Sequence, residues 1–116
     1  MKYMVYYKYL KKQNEVFTMV KHMIIWKFND GLDNKAEKAL EIKKALEGLL
    51  GNIDGLTKME IIINKLPSSA GDIMMDSEFT DNDALMAYQK HPLHVEIANG
   101  LVRPAVSQRL SLDYEA

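Results

Sequence analysis

The order in which strand-like and helix-like hydrophobic repeats follow one another is the feature of this sequence that most constrains its fold. Apolar residues recur with a period of two in four stretches, which therefore predict β-strands: Val20–Phe28, 56–64, Ile73–Phe79 and 107–114. Apolar residues recur at helical spacing in two stretches between them, over residues 33–50 and from residue 80 or 81 to residue 90. Pro92 then suits the first turn of a further short helix.

The resulting element order, βαββαβ, indicates a single α+β domain. The chain has 116 residues, enough for one hydrophobic core, and no internal repeat or linker divides it. The same order defines the ferredoxin-like arrangement, in which helices cover one face of a four-stranded antiparallel sheet. We therefore expect that fold.

Two local details of the first helix and the second strand follow from the same patterns. Asn34 is followed three residues later by Glu37, which predicts a capping box at the helix start. Strict alternation in the second strand would place Met59 and Ile61 on one face of the sheet and Leu56 on the other.

The first and second strands carry apolar side chains on both of their faces, as the first strand shows. Ile24, Trp26 and Phe28 would lie on one face, while Met23 and Ile25 would lie on the other. Two helices cover only one face of such a sheet, and burying an aliphatic side chain is worth about 1.5–3 kcal/mol. We therefore expect a homodimer whose two sheets pack face to face. Coverage of the second face by the N-terminal segment is the alternative.

Residues 1–18 differ in composition from the rest of the chain. Tyrosines are interleaved with lysines there, and no continuous apolar stretch resembles a secretory signal. We interpret this segment as an N-terminal extension that is poorly ordered or arises from an upstream start, and residues 19–116 as the domain. A functional arm or an extra edge strand is the alternative, because Tyr and Val favour strands.

Charge and cysteine content narrow the classes of function. The net charge is −1 and the basic residues are scattered, which argues against nucleic acid or a membrane surface as a partner. The sequence contains no cysteine, so disulfides, thiolate catalysis and cysteine-ligated zinc are excluded. No run approaches the roughly 20 apolar residues of a membrane span. We expect a cytoplasmic protein that needs no cofactor.

The densest polar cluster beside an apolar face is Tyr88-x-x-His91-Pro92-x-His94. Tyr88 and His91 share a helix face, while Pro92 redirects the chain before His94. An imidazole near neutral pH exchanges protons, and a tyrosine hydroxyl can donate a hydrogen bond to a developing oxyanion. Tyr88 and His94 are therefore the candidate catalytic residues. The spacing of the histidines fits no metal signature, so no metal site is expected.

The cluster and its surroundings resemble the stress-responsive α/β barrel family, known as Dabb. The resemblance covers about residues 19–116, and it implies a dimeric α+β barrel. It rests on Val20-Lys21-His22 opening the first strand, Glu78-Phe79 closing the third, Ala84-Leu85, the Tyr-x-x-His-Pro-x-His motif and a terminal Asp113-Tyr114.

The resemblance also implies roles for individual residues. In a plant polyketide cyclase of the family, the histidine matching His94 is the base and the tyrosine matching Tyr88 helps hold the substrate oxygen. Further histidines of that enzyme match His22 and His91, which with Trp26 are our candidate ligand-binding residues. Structural roles are the alternatives: a helix cap for His91, a hydrogen-bonded core position for His22 and packing for Trp26.

Three functions follow from these interpretations. The first is a Dabb-family homodimer that binds a small apolar or aromatic molecule in its barrel. The second is a cofactor-free, polyketide-cyclase-like lyase with His94 as base and Tyr88 as hydrogen-bond donor. The third is a monooxygenase-like or haem-handling barrel, in which His22 or His94 would be the axial ligand.

Overall fold

A computed structural model describes residues 19–116 of the chain, and its elements follow the expected βαββαβ order. The N-terminal extension expected from the sequence falls on residues 1–18 and so lies outside the described residues. The elements are β1 (Val20–Phe28), α1 (Lys35–Glu47), β2 (Leu56–Ile62), β3 (Ile73–Phe79), α2 (Asn82–Lys90), α3 (Pro92–Ile97), a π-helical turn (Ala98–Val102), a 3-10 turn (Arg103–Ala105) and β4 (Val106–Glu115).

The four strands form one sheet in the order β2-β3-β1-β4, and every neighbouring pair is antiparallel. Trp26 of β1 lies in register with Ile73 of β3 on one side and with Arg109 of β4 on the other. β4 is an edge strand, and its neighbour β1 supplies more buried apolar side chains than any other strand. The predicted ferredoxin-like fold is confirmed.

The hydrophobic core lies between the helices and one face of the sheet. Alternate residues of β1 and β3 point into it, as their sequence pattern predicted, and α1 contributes the apolar stripe that its helical spacing predicted. The largest fully buried side chains in the described chain are Tyr88, Phe79, Ile42, Ile61 and Met75.

Two local predictions were wrong. Asn34 adopts the left-handed conformation at φ 55° and ψ 48° and its side chain makes no capping hydrogen bond, so the capping box does not form. In β2, Leu56 is buried together with Met59 and Ile61, because the pairing with β3 shifts register between Leu56 and Lys58. Such a bulge adds one residue to the strand and returns Leu56 to the core face.

The turn at Asp54-Gly55 fixes the distance between β2 and α2. Gly55 has φ 82°, and a Cβ there would lie 2.5 Å from Cβ of Ala84. Its carbonyl accepts a hydrogen bond from the Thr80 amide at 2.9 Å, and Asp81 caps α2 by accepting from the Ala84 amide at 2.8 Å. The start of α2 is thereby held directly against the start of β2.

The sheet face opposite the helices, called the outer face below, has an apolar half. Along β1 and β4, Met23 lies opposite Leu112 and Ile25 opposite Leu110. Leu110 and Leu112 are 73% and 65% exposed. Apolar side chains on both faces of β1 are thus present as predicted. β4 adds Leu110 and Leu112 to the apolar half of the outer face.

The other half of the outer face is charged. Asp76 of β3 pairs with Lys21 of β1 at 2.7 Å and with Lys58 of β2 at 2.8 Å. Burial raises the pKa of the Asp76 carboxyl, but the hydrogen bonds from the two lysines outweigh it and hold that pKa below its usual value. The apolar half is therefore bordered by ion pairs rather than by further apolar residues.

Across residues 19–116, no helix combines the length and the apolar character that crossing a membrane requires.

Candidate functional site

A cavity of about 340 Å³ lies between the sheet and the segment that runs from α2 to β4. Its volume is at the small end of the range for ligand-binding sites in proteins. The strands and α1 supply apolar side chains to its wall: Ile24, Trp26, Leu46 and Met75. The α2-to-β4 segment and β4 supply most of its polar side chains: Tyr88, Gln89, His94, Arg103 and Arg109.

Tyr88 forms the buried end of this cavity. It lies on the inner face of α2, where the helical spacing of apolar residues predicted a core position, and it is 1% exposed. Its ring centroid is 4.9 Å from that of Phe79 and 6.3 Å from that of His22, to which it is edge-on. These aromatic neighbours hold the tyrosine ring in place.

His94 reaches Tyr88 because the chain bends between α2 and α3. His91 is extended, its Nδ1 accepts a hydrogen bond from the Leu93 amide at 3.1 Å, and Pro92 opens α3. The redirected helix places the His94 ring centroid 4.2 Å from that of Tyr88. The break at Pro92 is therefore what brings two residues six positions apart onto one cavity.

The polar atoms of this pair are left without partners. Among residues 19–116, the Tyr88 hydroxyl oxygen and His94 Nδ1 are buried and make no hydrogen bond. Leaving such an atom unpaired in the interior typically costs about 1–3 kcal/mol. Native proteins seldom tolerate this, so the two atoms mark a place where a bound molecule would find partners.

Burial also fixes the protonation states of the pair. It raises the pKa of the Tyr88 hydroxyl well above its usual value, and Arg109 opposes this only in part. Burial lowers the pKa of His94 from 6.5; a backbone hydrogen bond to Gln89 opposes the shift, while His22, Arg103 and Arg109 add to it. Near neutral pH, Tyr88 is therefore a hydrogen-bond donor and His94 an uncharged base.

His22 lies behind Tyr88 in a hydrogen-bonded position. It is buried, its Nδ1 pairs with the Asp113 carboxylate of β4, and its backbone carbonyl accepts a hydrogen bond from the Ser77 hydroxyl at 2.6 Å. The strand pairing explains the first contact, because His22 and Asp113 are register partners in β1 and β4. This residue therefore packs against the tyrosine rather than lining the cavity.

Metal ligation has no basis in the described side chains. Within residues 19–116, no three His, Cys, Asp or Glu side chains are grouped so that they could hold a metal ion.

A family model for the stress-responsive A/B barrel domain matches residues 20–116. The chain belongs to this family. The match spans every helix and strand described above, and it includes Tyr88, His94 and the arginines of the cavity.

Several known proteins are similar to this stress-responsive A/B barrel protein. An uncharacterized protein of Streptomyces coelicolor is 32% identical over 77 residues, which are 66% of this chain and 79% of that protein. A solved dimeric protein of unknown function from Bacteroides fragilis, with a ferredoxin-like fold, is 31% identical, covers 86% of this chain and 99% of its own, and has a TM-score of 0.78. The hydroxynitrile lyase of Passiflora edulis, at 17% identity, 85% and 94% coverage and a TM-score of 0.69, shares the fold alone.

The structure brings together most, but not all, of the residues singled out in the sequence. Tyr88, His94 and Trp26 line the cavity, and His22 contacts Tyr88 from the side away from it. His91 caps α3 instead, and within the described part of the chain it does not line the cavity. A ligand-binding role for His22 and His91 stays a prediction.

Sequence reasoning missed the two arginines of this stress-responsive A/B barrel protein. Arg109 alternates along β4 with Leu110 and Leu112, so it must lie on the sheet face that the helices cover. That alternation could have been read from the sequence. Its position beside Trp26 could not, because it depends on which strand pairs with β1 and in what register.

Proposed function

We propose that this stress-responsive A/B barrel protein binds a small aromatic or apolar molecule bearing an oxygen atom. The observation that carries the proposal is the pair of unpartnered buried atoms, the Tyr88 hydroxyl and His94 Nδ1, on a cavity with an otherwise largely apolar wall. An aromatic ring would pack against Trp26 and Ile24, and its oxygen would accept the tyrosine hydrogen bond.

The same geometry supports a reaction in which a proton is removed from the carbon beside a carbonyl group. His94, held uncharged, would take that proton, and the electron pair of the broken C–H bond would move to the carbonyl oxygen. The Tyr88 hydroxyl would stabilise the resulting enolate by donating a hydrogen bond. This is the opening step of a polyketide-cyclase-like lyase, and the hydroxynitrile lyase of similar fold indicates only that such a scaffold can host an enzyme. The cavity volume favours a small aromatic molecule over haem.

Acetophenone in D₂O tests binding and proton removal in one sample. Saturation-transfer NMR reports binding, and loss of the methyl proton signal reports exchange. We expect the full chain to bind the ketone and to accelerate exchange. His94→Ala should abolish the acceleration, and Tyr88→Phe should reduce it by about a hundredfold, the usual effect of losing one oxyanion donor. Leu66→Ala, in an exposed loop, is the matched control and should behave as the wild type.

The outcomes separate the two functions. Binding that depends on Tyr88, without accelerated exchange, would support a binding protein and contradict a base-catalysed reaction at this site. Absence of both signals would contradict the proposed pocket function itself.

We also infer that a second copy of the chain covers the outer face. The apolar group there is continuous across β1 and β4, and the Bacteroides fragilis relative, at 31% identity, is dimeric. Two sheets packed through these faces would bury Leu110 and Leu112 of both copies and would form the expected barrel. A cytoplasmic location and the extension at residues 1–18 stay predictions of the sequence.

A further inference from the structure

Both arginines of the chain line the same cavity. The sequence contains 15 basic Lys and Arg residues, and reading along it shows that only positions 103 and 109 are Arg. Both belong to the wall described above, Arg103 from the 3-10 turn and Arg109 from β4. Since the planar guanidinium group binds carboxylates through two parallel hydrogen bonds, this distribution concentrates one kind of recognition at one site.

The charges of these arginines are not neutralised by the described chain. Every ion pair resolved among residues 19–116 involves a lysine or His22, and none involves an arginine. Asp113, an acidic residue of β4 on the same strand face, is already paired with His22. The positive charge of Arg109 nevertheless reaches into the cavity, because it acts to lower the pKa of both Tyr88 and His94.

The lining of the cavity therefore contains three kinds of residue. Within the described chain, the Tyr88 hydroxyl and His94 Nδ1 are buried and unpartnered, Trp26 and Ile24 are buried and apolar, and both arginines are exposed to solvent. A molecule that satisfied all three would carry an oxygen at one end, a ring or short apolar body, and a negative charge at the other.

We propose that the natural ligand is a small aromatic or apolar carboxylate whose acid group binds Arg109 and Arg103 while a second oxygen meets Tyr88 and His94. The inference rests on the proposed binding function and adds the class of ligand to it. A volume of about 340 Å³ accommodates one ring with two short substituents. The carboxylate orients the molecule, so that its carbonyl end reaches the tyrosine and the histidine.

Two probes of nearly the same size and shape, one an anion and one neutral, test this assignment: 4-acetylbenzoate and 4-acetylbenzamide. We expect isothermal titration calorimetry on the full chain to give at least about tenfold tighter binding of the carboxylate, because hydrogen bonds to charged groups are stronger than neutral ones. Arg109→Gln should reduce this preference to about threefold or less, because it weakens carboxylate binding more than amide binding. Arg103→Gln should reduce it by a smaller factor. Raising the salt concentration should weaken carboxylate binding more than amide binding.

Lys44→Gln is the control for net charge, because it removes one positive charge from an exposed position on α1, away from the cavity. It should keep the full carboxylate preference. Both arginines are exposed, so their glutamine variants should fold as the wild type does. Circular dichroism before titration verifies this. Equal binding of the two probes by the wild type would overturn the inference while leaving the pocket proposal standing, as would an unchanged preference in folded Arg109→Gln. Failure of both probes to bind would overturn the inference and the proposed function together.

Discussion

The helix-covered face of the sheet and the apolar half of its outer face lack different things. On the helix-covered face, Ile24 and Trp26 are buried, and what remains is a cavity with two unpartnered polar atoms. On the outer face, Ile25 and Leu110 lie side by side and are 44% and 73% exposed. The inner face has space for a small molecule, whereas the outer face has space for a second protein surface.

One strand, β1, takes part in both the cavity and the outer face. β1 contributes to both faces, and its alternation assigns each side chain to one of them. A change at an even-numbered position such as Trp26 should affect folding and the cavity, whereas a change at an odd-numbered position such as Ile25 should affect assembly. If this assignment is correct, substitutions on one face of the sheet should leave the role of the other face intact.

The largest effect is expected from placing a charge on the outer face. Leu112→Lys would introduce an ammonium group opposite Met23 in each copy of a two-fold dimer. Breaking such an interface with an unpaired buried charge costs about 3–5 kcal/mol. We expect the dimer dissociation constant to rise by about a hundredfold or more, measured by sedimentation equilibrium.

The control for this charge is Leu66→Lys, at a loop residue that is 70% exposed. It should leave the assembly unchanged. A wild-type chain that sediments as a monomer, or a Leu112→Lys dimer as tight as the wild type, would contradict the role given to the outer face.

The second effect lies on the inner face of the same strand. Trp26 is buried in the core and also lines the cavity, so Trp26→Ala should lower the free energy of unfolding by about 3–5 kcal/mol. Urea denaturation at a fixed protein concentration measures this loss. Ile25→Ala, the neighbouring change on the outer face, should cost clearly less in dilute solution. Equal losses for the two variants would mean that the faces are not independent.

These same residues show which features of the fold and the site could be predicted from the sequence. The alternation in β1 was enough to separate Trp26 from Ile25, and the Tyr88 motif with its proline was enough to pair Tyr88 with His94. The bulge in β2 could not be predicted, since strict alternation is the default and a bulge is set by pairing with β3. Arg109 was missed for a related reason: its neighbours are fixed by sheet order, which links residues about eighty positions apart.

A smaller effect on stability should distinguish two buried hydroxyls of the inner face. Within residues 19–116, the Tyr88 hydroxyl has no hydrogen-bond partner, whereas the Ser77 hydroxyl has one. Tyr88→Phe removes a buried hydroxyl that has no hydrogen-bond partner among the described residues. We therefore expect the stability of the ligand-free protein to stay unchanged or to rise by about 1 kcal/mol. Ser77→Ala is the matched control, because the Ser77 hydroxyl is also buried but donates to the His22 carbonyl at 2.6 Å.

Ser77→Ala should cost about 1 kcal/mol, since it leaves that carbonyl without its donor. Thermal and urea unfolding of both variants give the comparison. If Tyr88→Phe is destabilised as much as Ser77→Ala, the tyrosine hydroxyl has a hydrogen-bond partner in the folded protein. A ligand would then not be needed to supply that partner.

The smallest effect is the pH dependence that His94 gives to stability. Because burial lowers its pKa from 6.5, the unfolded chain binds a proton at a higher pH than the folded chain does. The stability conferred by an uncharged His94 is therefore fully present above about pH 6.5, and it is lost as the pH falls from there towards the folded pKa. His94→Gln lacks this titration, so the wild type should become less stable relative to the variant between about pH 7.5 and 5.5.

Urea titrations of both proteins across this range measure the difference, in which titrations common to both proteins cancel. A constant difference would show that the folded and unfolded chains bind a proton at His94 equally well, and it would contradict the lowered pKa. Burial is the main cause of that lowered pKa, and the charges of Arg103 and Arg109 add to it. The pH series therefore tests, without any ligand, whether the folded protein holds His94 as an uncharged base.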